Sequence, residues 1–400
     1  MSVPGRRKSQ RVMMNGKAKE NKVISDLSPW ILLPIFRYLS TGYIDPIPVK
    51  DWLPSSSLTT LSQGRYEKHF LSAALVNRHW STVARTIIYA SVDLEDEDET
   101  EVFAETMEDF PELAALVRRL NLGTQCHTKE ETSCHIQLLR LCPNLQHLRI
   151  QGYNGFLLKE YVEALRACTN LTSLYITRYG LRDWQGDSFC KIGTMVEMMQ
   201  GWFKLEQVFF HDAIISWCAD FDQTQPTPIP RLQRMHMGCS LDTAHIEALS
   251  RLAPNLVVFS LSDSGFHSGG SLAAALRVWK STLIELDLRC EAGSPSSEHW
   301  DAVAERLPEL SRLNILRVAK GLPPEHYKSA FPPSLREVYV SLPSAADLQS
   351  IVDILSSEHR LPSLRLLRTY KPYSEDYDET VRVEICAKRG CLLKWGPMMY

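Results

Sequence analysis

The sequence predicts an α/β solenoid, in which short parallel strands alternate with helices over most of the chain. One observation is a repeated unit with apolar residues at its first, fourth and sixth positions, clearest in Leu145-Gln-His-Leu148-Arg-Ile150. In this copy, Leu148 and Ile150 alternate with Arg149, which is the period of a strand with one buried face. Consecutive copies begin 24 to 34 residues apart. Self-similarity at this period indicates stacked repeats.

Ten copies of the unit run from Val117 to Thr369. Their first apolar residues are Val117, Leu145, Leu171, Leu205, Leu232, Leu256, Leu283, Leu310, Leu335 and Leu364. The frame of the eighth copy is open, because Leu313-x-x-Leu316-x-Val318 fits as well as Leu310-x-x-Leu313-x-Ile315. The pattern resembles that of the leucine-rich-repeat family. This resemblance implies a solenoid over residues 95–370, with a curved parallel sheet on its concave side and helices on its convex side.

The composition is that of an ordinary folded protein. Of the 400 residues, 44% are hydrophobic and 23% are charged, and the formal net charge is -3. This charge gives no reason to expect a nucleic-acid partner. The sequence has no apolar run of 18 residues and no secretory leader at its start, so we expect no membrane partner and a cytoplasmic or nuclear location.

The ten cysteines include one group with zinc-like spacing. Cys126, Cys134 and Cys142 are eight residues apart, and His127 and His135 lie beside two of them. These ligands straddle a loop and a helix end without a second close pair, so we predict free thiols and no bound metal. No cofactor is expected.

The first 94 residues differ from the repeats. Residues 1–22 are basic with little apolar periodicity, which predicts a disordered tail; a nuclear-targeting segment is the alternative. Ser28 can cap a helix whose apolar stripe includes Ile31, Ile35 and Leu39. Residues 41–68 are rich in proline and serine and are predicted to be an inserted loop.

Helical periodicity resumes at Phe70 and continues to Ile87. A strand is predicted over Ala90–Leu94, and the acidic segment from Glu95 to Asp109 is expected to be a loop that passes into a helix. After Thr369 the periodicity decays, so residues 371–400 are predicted to be a C-terminal cap that includes a closing strand near Leu392-Leu393-Lys-Trp395.

The segment from 23 to 94 resembles the F-box family. Three stretches carry the resemblance: Leu27-Ser-Pro-Trp-Ile-Leu32, Ile35-Phe-Arg-Tyr-Leu39 and Leu75-Val-Asn-Arg-His-Trp80. The family's usual glutamate is replaced by Trp30, Pro34 interrupts the first helix, and the insertion is longer than is typical.

The resemblance implies a non-catalytic subunit that binds a Skp-type adaptor, and through it a cullin, in a ubiquitin ligase. The adaptor-binding residues that it implies are Leu27, Pro29, Ile31, Leu32, Ile35, Phe36, Leu39, Leu75, Val76, Trp80 and Val83. The alternative from the residues alone is that these side chains form the core of a small helical cap.

The residue between the two alternating apolar positions of each repeat should face the concave side of the sheet. This column contains Asn121, Arg149, Tyr175, Phe209, His236, Ser260, Asp287, Asn314, Tyr339 and Arg368. Exposed aromatic side chains on adjacent strands suggest a surface for a protein substrate. The proposed substrate-binding residues are Arg149, Tyr175, Phe209, His236, Asp287, Tyr339 and Arg368. The alternative is that an insertion within 171–205 or 217–230 covers the rings.

An enzyme is not predicted. The sequence has no nucleotide-binding glycine motif, nucleophile elbow or zinc-protease motif. His211-Asp212 follows a predicted strand and is expected to face solvent or the sheet surface. The sequence therefore predicts a ligase substrate receptor, with a non-ligase repeat scaffold carrying a degenerate F-box as the alternative.

Overall fold

The structure is a computed structural model, and it describes about half of the chain. The described residues are 32, 74–76, 78–124, 128–153, 156–177, 189–211, 215–216, 226–238, 243–263, 269–290, 297–319, 326, 331–340, 361–369, 386–388 and 390–395. Among these residues, no helix combines the length and apolarity that a membrane crossing requires. The chain divides into two compact units, Met1–Val92 with Glu112–Val117, and Asp93–Pro111 with Arg118–Tyr400.

The first unit has a small core around helix α1, Arg78–Ile88. Val83, Ala84 and Ile87 lie on one face of the helix and are buried together with Leu32. Trp80 is partly buried against this cluster. Burying one Leu, Val or Ile side chain stabilises the folded state by roughly 1.5–3 kcal/mol, so this cluster stabilises the described part of the unit.

The second unit is built on a long parallel sheet. The sheet has twelve strands in the order β1-β2-β3-β4-β6-β8-β9-β10-β11-β12-β13-β14, and β5 pairs separately with β7; the unit boundary falls within β1, after Val92. The strands are β1 Ser91–Leu94, β2 Arg119–Leu122, β3 His147–Ile150, β4 Ser173–Thr177, β5 Cys190–Lys191, β6 Gln207–His211, β7 Ile215–Ser216, β8 Arg234–Gly238, β9 Val258–Asp263, β10 Glu285–Cys290, β11 Ile315–Ala319, β12 Glu337–Val340, β13 Leu366–Thr369 and β14 Leu392–Trp395. The long parallel sheet with intervening helices confirms the α/β prediction, and β14 confirms the closing strand.

Helices connect many of the strands. They are α2 Glu97–Asp109, α3 Pro111–Ala114, α4 Lys129–Leu141, α5 Leu158–Arg166, α6 Ile192–Gly201, α7 Thr243–Leu252, α8 Gly269–Val278 and α9 Ser297–Ala304, followed by a 3₁₀ turn at Leu307–Glu309. Contacts between successive helices join α2 to α4, α4 to α5, α7 to α8 and α8 to α9. Repeats therefore stack helix against helix as well as strand against strand.

A ladder of main-chain hydrogen bonds fixes the stacking before each strand begins. The carbonyl of Arg118 accepts from the N–H groups of Gln146 and His147, and the carbonyl of Gln146 accepts from Thr172 and Ser173. The same pair of hydrogen bonds to one carbonyl recurs at each later strand of the twelve-stranded sheet up to β13. Because this pairing repeats at one position of the unit, it holds all the strands in one register.

The pairing of β11 with its neighbours decides the frame of the eighth repeat. Leu316 pairs with Leu286 and Val338, so it takes the position that Leu148 has in the second repeat. Leu313 is therefore the first residue of the unit. The frame that starts at Leu310 is wrong, and Arg317 replaces Asn314 in the column, opposite Asp287 and Tyr339.

Apolar strand and helix residues form the core of the second unit. In β3 the burial pattern alternates, with Leu148 and Ile150 fully buried and Arg149 partly exposed. Cys142 and Cys168 are buried at the turns, where burial raises the pKa of each thiol to about 12. The basic tail, the insertion at 41–68 and the segment 371–385 of the predicted cap lie outside the described residues.

Candidate functional site

The candidate site is a row of side chains along one face of the sheet, here called the central row. One residue from each of the eleven strands after β1 in the twelve-stranded sheet contributes, and each is paired with its neighbours in register. The row is Asn121, Arg149, Tyr175, Phe209, His236, Ser260, Asp287, Arg317, Tyr339, Arg368 and Lys394. Because strands alternate their side chains, the row lies on the opposite face from the apolar residues that flank it.

A stack of rings forms the first half of the central row. Tyr175 and Phe209 have ring centroids 4.3 Å apart, and Phe209 and His236 have centroids 4.0 Å apart, with 9° between the planes in each pair. The guanidinium of Arg149 lies 4.8 Å from the centroid of Tyr175. A cation stacked on the terminal ring is attracted by the ring's negative face.

His236 ends the stack. Its Nδ1 lies 2.7 Å from the Ser260 hydroxyl, and its buried Nε2 has no hydrogen-bond partner among the described residues. Burial lowers the pKa of His236 well below 6.5, and the nearby His211 and Arg289 lower it further. His236 is therefore neutral near pH 7 and packs as an aromatic ring.

Ionic groups form the middle of the row. The Arg289 guanidinium donates to both carboxylate oxygens of Asp287, and its Nη2 lies 2.7 Å from Oδ2. Arg317 donates to Glu285, with Asp287 at 4.0 Å. Burial alone would lower the pKa of Arg317, but Glu285 and Asp287 together raise it. Two arginines and two carboxylates thus balance each other in this segment.

The last part of the row carries positive charge. Tyr339 lies between Arg317 and Arg368, whose guanidinium carbons are 4.8 and 5.9 Å from its ring centroid, and its hydroxyl donates to Glu337 over 3.0 Å. Burial raises the pKa of Tyr339, and Glu337 raises it further. Arg368 is next to Lys394 in register, and its Nε has no hydrogen-bond partner among the described residues.

The rings cluster as predicted, but the premise that they are exposed is wrong. Tyr175 is 2% exposed, Phe209 9% and His236 7%, and Asp287 is also buried. Arg149, Arg317, Tyr339 and Arg368 are partly exposed and Lys394 is exposed. Residues 178–188 and 217–225, which belong to the two segments that could cover the rings, lie outside the described residues. The accessible groups of the row are therefore those toward its two ends.

The predicted adaptor-binding residues divide into two sets where the structure describes them. Leu75 is 86% exposed and Val76 53% exposed, whereas Leu32 and Val83 are buried in the first unit's own core and Trp80 packs against it. Leu27, Pro29, Ile31, Ile35, Phe36 and Leu39 lie outside the described residues. Of the members of this set that the structure describes, Leu75 and Val76 are the exposed apolar ones.

The structure describes only part of the zinc-like group. His135 is buried, with Nε2 2.8 Å from the Thr124 hydroxyl and Nδ1 3.2 Å from the Tyr161 hydroxyl. Cys126 and His127 lie outside the described residues, as does Asp212 of the His211-Asp212 pair. Within the part of the chain that the structure describes, no group of three or more His, Cys, Asp or Glu side chains could hold a metal ion.

Several groups of this surface were missed by sequence reasoning. Arg317 was missed because the frame that starts at Leu310 puts Asn314 in the column. Lys394 was missed because the sequence around β14 shows no clear repeat. Glu285, Glu337 and Arg289 lie two positions before or after the row and so share its face. They could have been predicted, because residues two positions apart on a strand lie on the same face of the sheet.

Comparison with known proteins does not add to this picture. A scan against protein-family models and a search of curated proteins found no match to the chain.

Proposed function

We propose that this chain is the substrate-recognition subunit of a Skp–cullin–F-box ubiquitin ligase. The observation that carries the proposal is the central row, in which eleven strands hold a set of partly or fully exposed groups in register: Arg149, Arg317, Tyr339, Arg368 and Lys394. Such a surface provides contacts for a protein partner. The order of the chain supports the ligase assignment, because the stretch that resembles an F-box comes directly before the repeats.

The substrate contacts lie at the accessible groups of the central row. Arg149 and Arg368 are separated by eight strand spacings, which is on the order of 40 Å along the sheet. One small ligand cannot reach both, whereas an extended protein surface can. Because Arg149, Arg368 and Lys394 are cationic, acidic side chains of the substrate are the complementary partners.

The adaptor contact is proposed for Leu75 and Val76. Exposed neighbouring aliphatic side chains lose water when a partner groove covers them, and central contacts of this kind contribute about 2 kcal/mol or more to binding. The ligase then acts by proximity, since the adaptor and cullin raise the effective concentration of a substrate lysine near the conjugating enzyme.

The second candidate is a repeat scaffold that does not bind the adaptor. The burial of Leu32 and Val83 favours it, because two of the residues expected at the adaptor already form a core within the unit. The two candidates differ in adaptor binding and agree in substrate binding.

Two variants, each designed to lose one class of partner and keep the other, test the proposal. The full-length chain is expressed with an affinity tag, and co-purified adaptor, cullin and substrates are quantified by mass spectrometry. Leu75→Asp/Val76→Asp should lose adaptor and cullin and keep the substrates. Arg149→Glu/Arg368→Glu should lose substrates and keep the adaptor.

Matched control variants change similar residues elsewhere. Val102→Asp replaces a 62% exposed valine of α2, and Arg336→Glu reverses an exposed arginine outside the central row. Both should retain all partners. Substrates without adaptor in the wild type would establish the scaffold instead, and equal substrate loss in Arg336→Glu and the row variant would refute recognition by the row.

A further inference from the structure

Two cysteines meet at the turn that leads into the last strand. The main-chain N–H of Cys391 donates to the carbonyl of Cys386 over 2.8 Å, and the N–H of Gly390 donates to the carbonyl of Ala387 over 3.0 Å. Gly390 has a φ of 65°, in the left-handed region. These are the two hydrogen bonds and the glycine of a Schellman motif, which brings the side chains at its two ends into contact.

The contact at this turn is between two thiols. Cys386 is 2% exposed and Cys391 5% exposed, so both side chains are buried at the turn. A hydrogen bond from the Cys391 thiol lowers the pKa of Cys386, although burial opposes the shift. The buried Cys142, Cys168 and Cys190 behave in the opposite way, because burial raises the pKa of each to about 12.

We propose that Cys386 and Cys391 are a reversible disulfide site. A disulfide needs Cα atoms about 4.4–6.8 Å apart, and the 2.8 Å bond between the two main chains brings this pair within that reach. The backbone therefore keeps its turn while the side chains rotate to join the sulfurs.

The oxidant is a small-molecule disulfide such as oxidised glutathione. When the turn opens locally, the Cys386 thiolate attacks one of the two sulfurs of the oxidant, the S–S bond breaks, and one glutathione thiolate leaves. The Cys391 thiolate then attacks the Cys386 sulfur of the mixed disulfide and releases the second glutathione. The two cysteines lose two protons and two electrons, and the oxidant gains them as two glutathione thiols.

The proposed disulfide would constrain the end of the sheet at β14. Cys391 directly precedes β14, which pairs with β13 and carries Lys394 next to Arg368. The closed loop is only six residues long, so its effect on the unfolded chain is small. Oxidation instead ties the start of β14 to the preceding turn, beside the cationic end of the central row.

Thiol mapping of the full-length protein tests the proposal. The protein is equilibrated in glutathione buffers from fully reducing to fully oxidising, quenched in acid, unfolded and alkylated, and its peptides are analysed by mass spectrometry. Cys386 and Cys391 should become protected together, in a peptide linked by a disulfide, and dithiothreitol should restore both. The buried Cys190 serves as the internal control and should remain alkylated over the same range.

The Cys391→Ser variant identifies the second step. Without its partner, Cys386 should accumulate a glutathione adduct, which the wild type resolves. Circular dichroism of the variant checks that the fold is retained, and the wild-type result stands without the variant. Full alkylation of both cysteines in the most oxidising buffer would overturn the proposal, as would a disulfide from either one to a third cysteine.

Discussion

At the scale of single residues, His135 couples the stability of the second unit to pH. It is fully buried between the hydroxyls of Thr124 and Tyr161. Burial lowers its pKa from 6.5 to about 4, and nearby Glu131 only partly offsets this shift. The folded protein therefore holds this side chain neutral over a pH range in which the unfolded chain protonates it.

We expect His135 to reduce stability as the pH falls from 6.5 to 4. In this window the unfolded state binds more protons than the folded state, so protonation favours unfolding. The loss is complete near pH 4, is absent above pH 6.5, and amounts to roughly 3 kcal/mol at 1.36 kcal/mol per pKa unit. Urea unfolding at several pH values measures it against a His135→Gln variant.

The comparison isolates one residue, because all other titrating groups are common to both proteins. The difference in unfolding free energy between the wild type and His135→Gln should shrink as the pH falls through the window. A difference that stays constant from pH 7 to pH 4 would contradict the role given to His135.

The residue scale also shows where sequence reasoning succeeds and fails. The period-2 pattern placed Arg149, Tyr175, Phe209 and His236 in one column, because alternation in a strand is a local property. It did not separate Leu310 from Leu313, since leucines three residues apart satisfy both frames. The pairing of β11 with β10 and β12 decides between them, and strand pairing is a contact between repeats that the pattern within one repeat does not contain.

At the scale of elements, Gly123 joins β2 to β1 by close approach of the backbone. Its N–H donates to the carbonyl of Leu94 over 2.7 Å. A Cβ atom at Gly123 would lie 2.9 Å from that same oxygen, closer than real Cβ atoms come. Only a residue without a side chain fits the junction.

Gly123→Ala is expected to destabilise the protein by about 1–3 kcal/mol, as overpacking does. Gly201→Ala is the matched control, because Gly201 ends helix α6 and a Cβ there meets nothing within 4 Å. The control should be neutral or stabilising by up to about 1 kcal/mol. Thermal unfolding of both variants measures the difference, and equal melting temperatures would contradict the account of the junction.

The acidic segment illustrates how local chemistry overrides composition. Sequence reasoning expected a loop at its start, yet α2 begins at Glu97. The Asp96 carboxylate accepts from the N–H of Glu99 over 2.7 Å and caps the helix. Three acidic residues in the first turn also interact favourably with the positive end of the helix dipole. Asp96 is a common helix-capping residue, but the acidic residues that follow it led to the prediction of a loop.

At the scale of the whole molecule, the repeat period predicted the parallel sheet because each repeat needs its neighbour to bury its apolar face. The burial of the ring stack could not be predicted in the same way, since it depends on what surrounds Tyr175, Phe209 and His236 in space. Partner identity is further from the sequence still. Nothing in the row specifies one substrate, and Leu75 and Val76 show that a surface is available without showing what covers it.

Binding of the purified full-length chain to a purified Skp-type adaptor tests the central claim most directly. Isothermal titration calorimetry should show a one-to-one complex, weakened roughly 30-fold or more in Leu75→Asp/Val76→Asp, which corresponds to about 2 kcal/mol. The Val102→Asp control should bind as the wild type does. A folded wild-type chain that gives no binding heat, and forms no complex with the adaptor on size-exclusion chromatography, would contradict the ligase assignment.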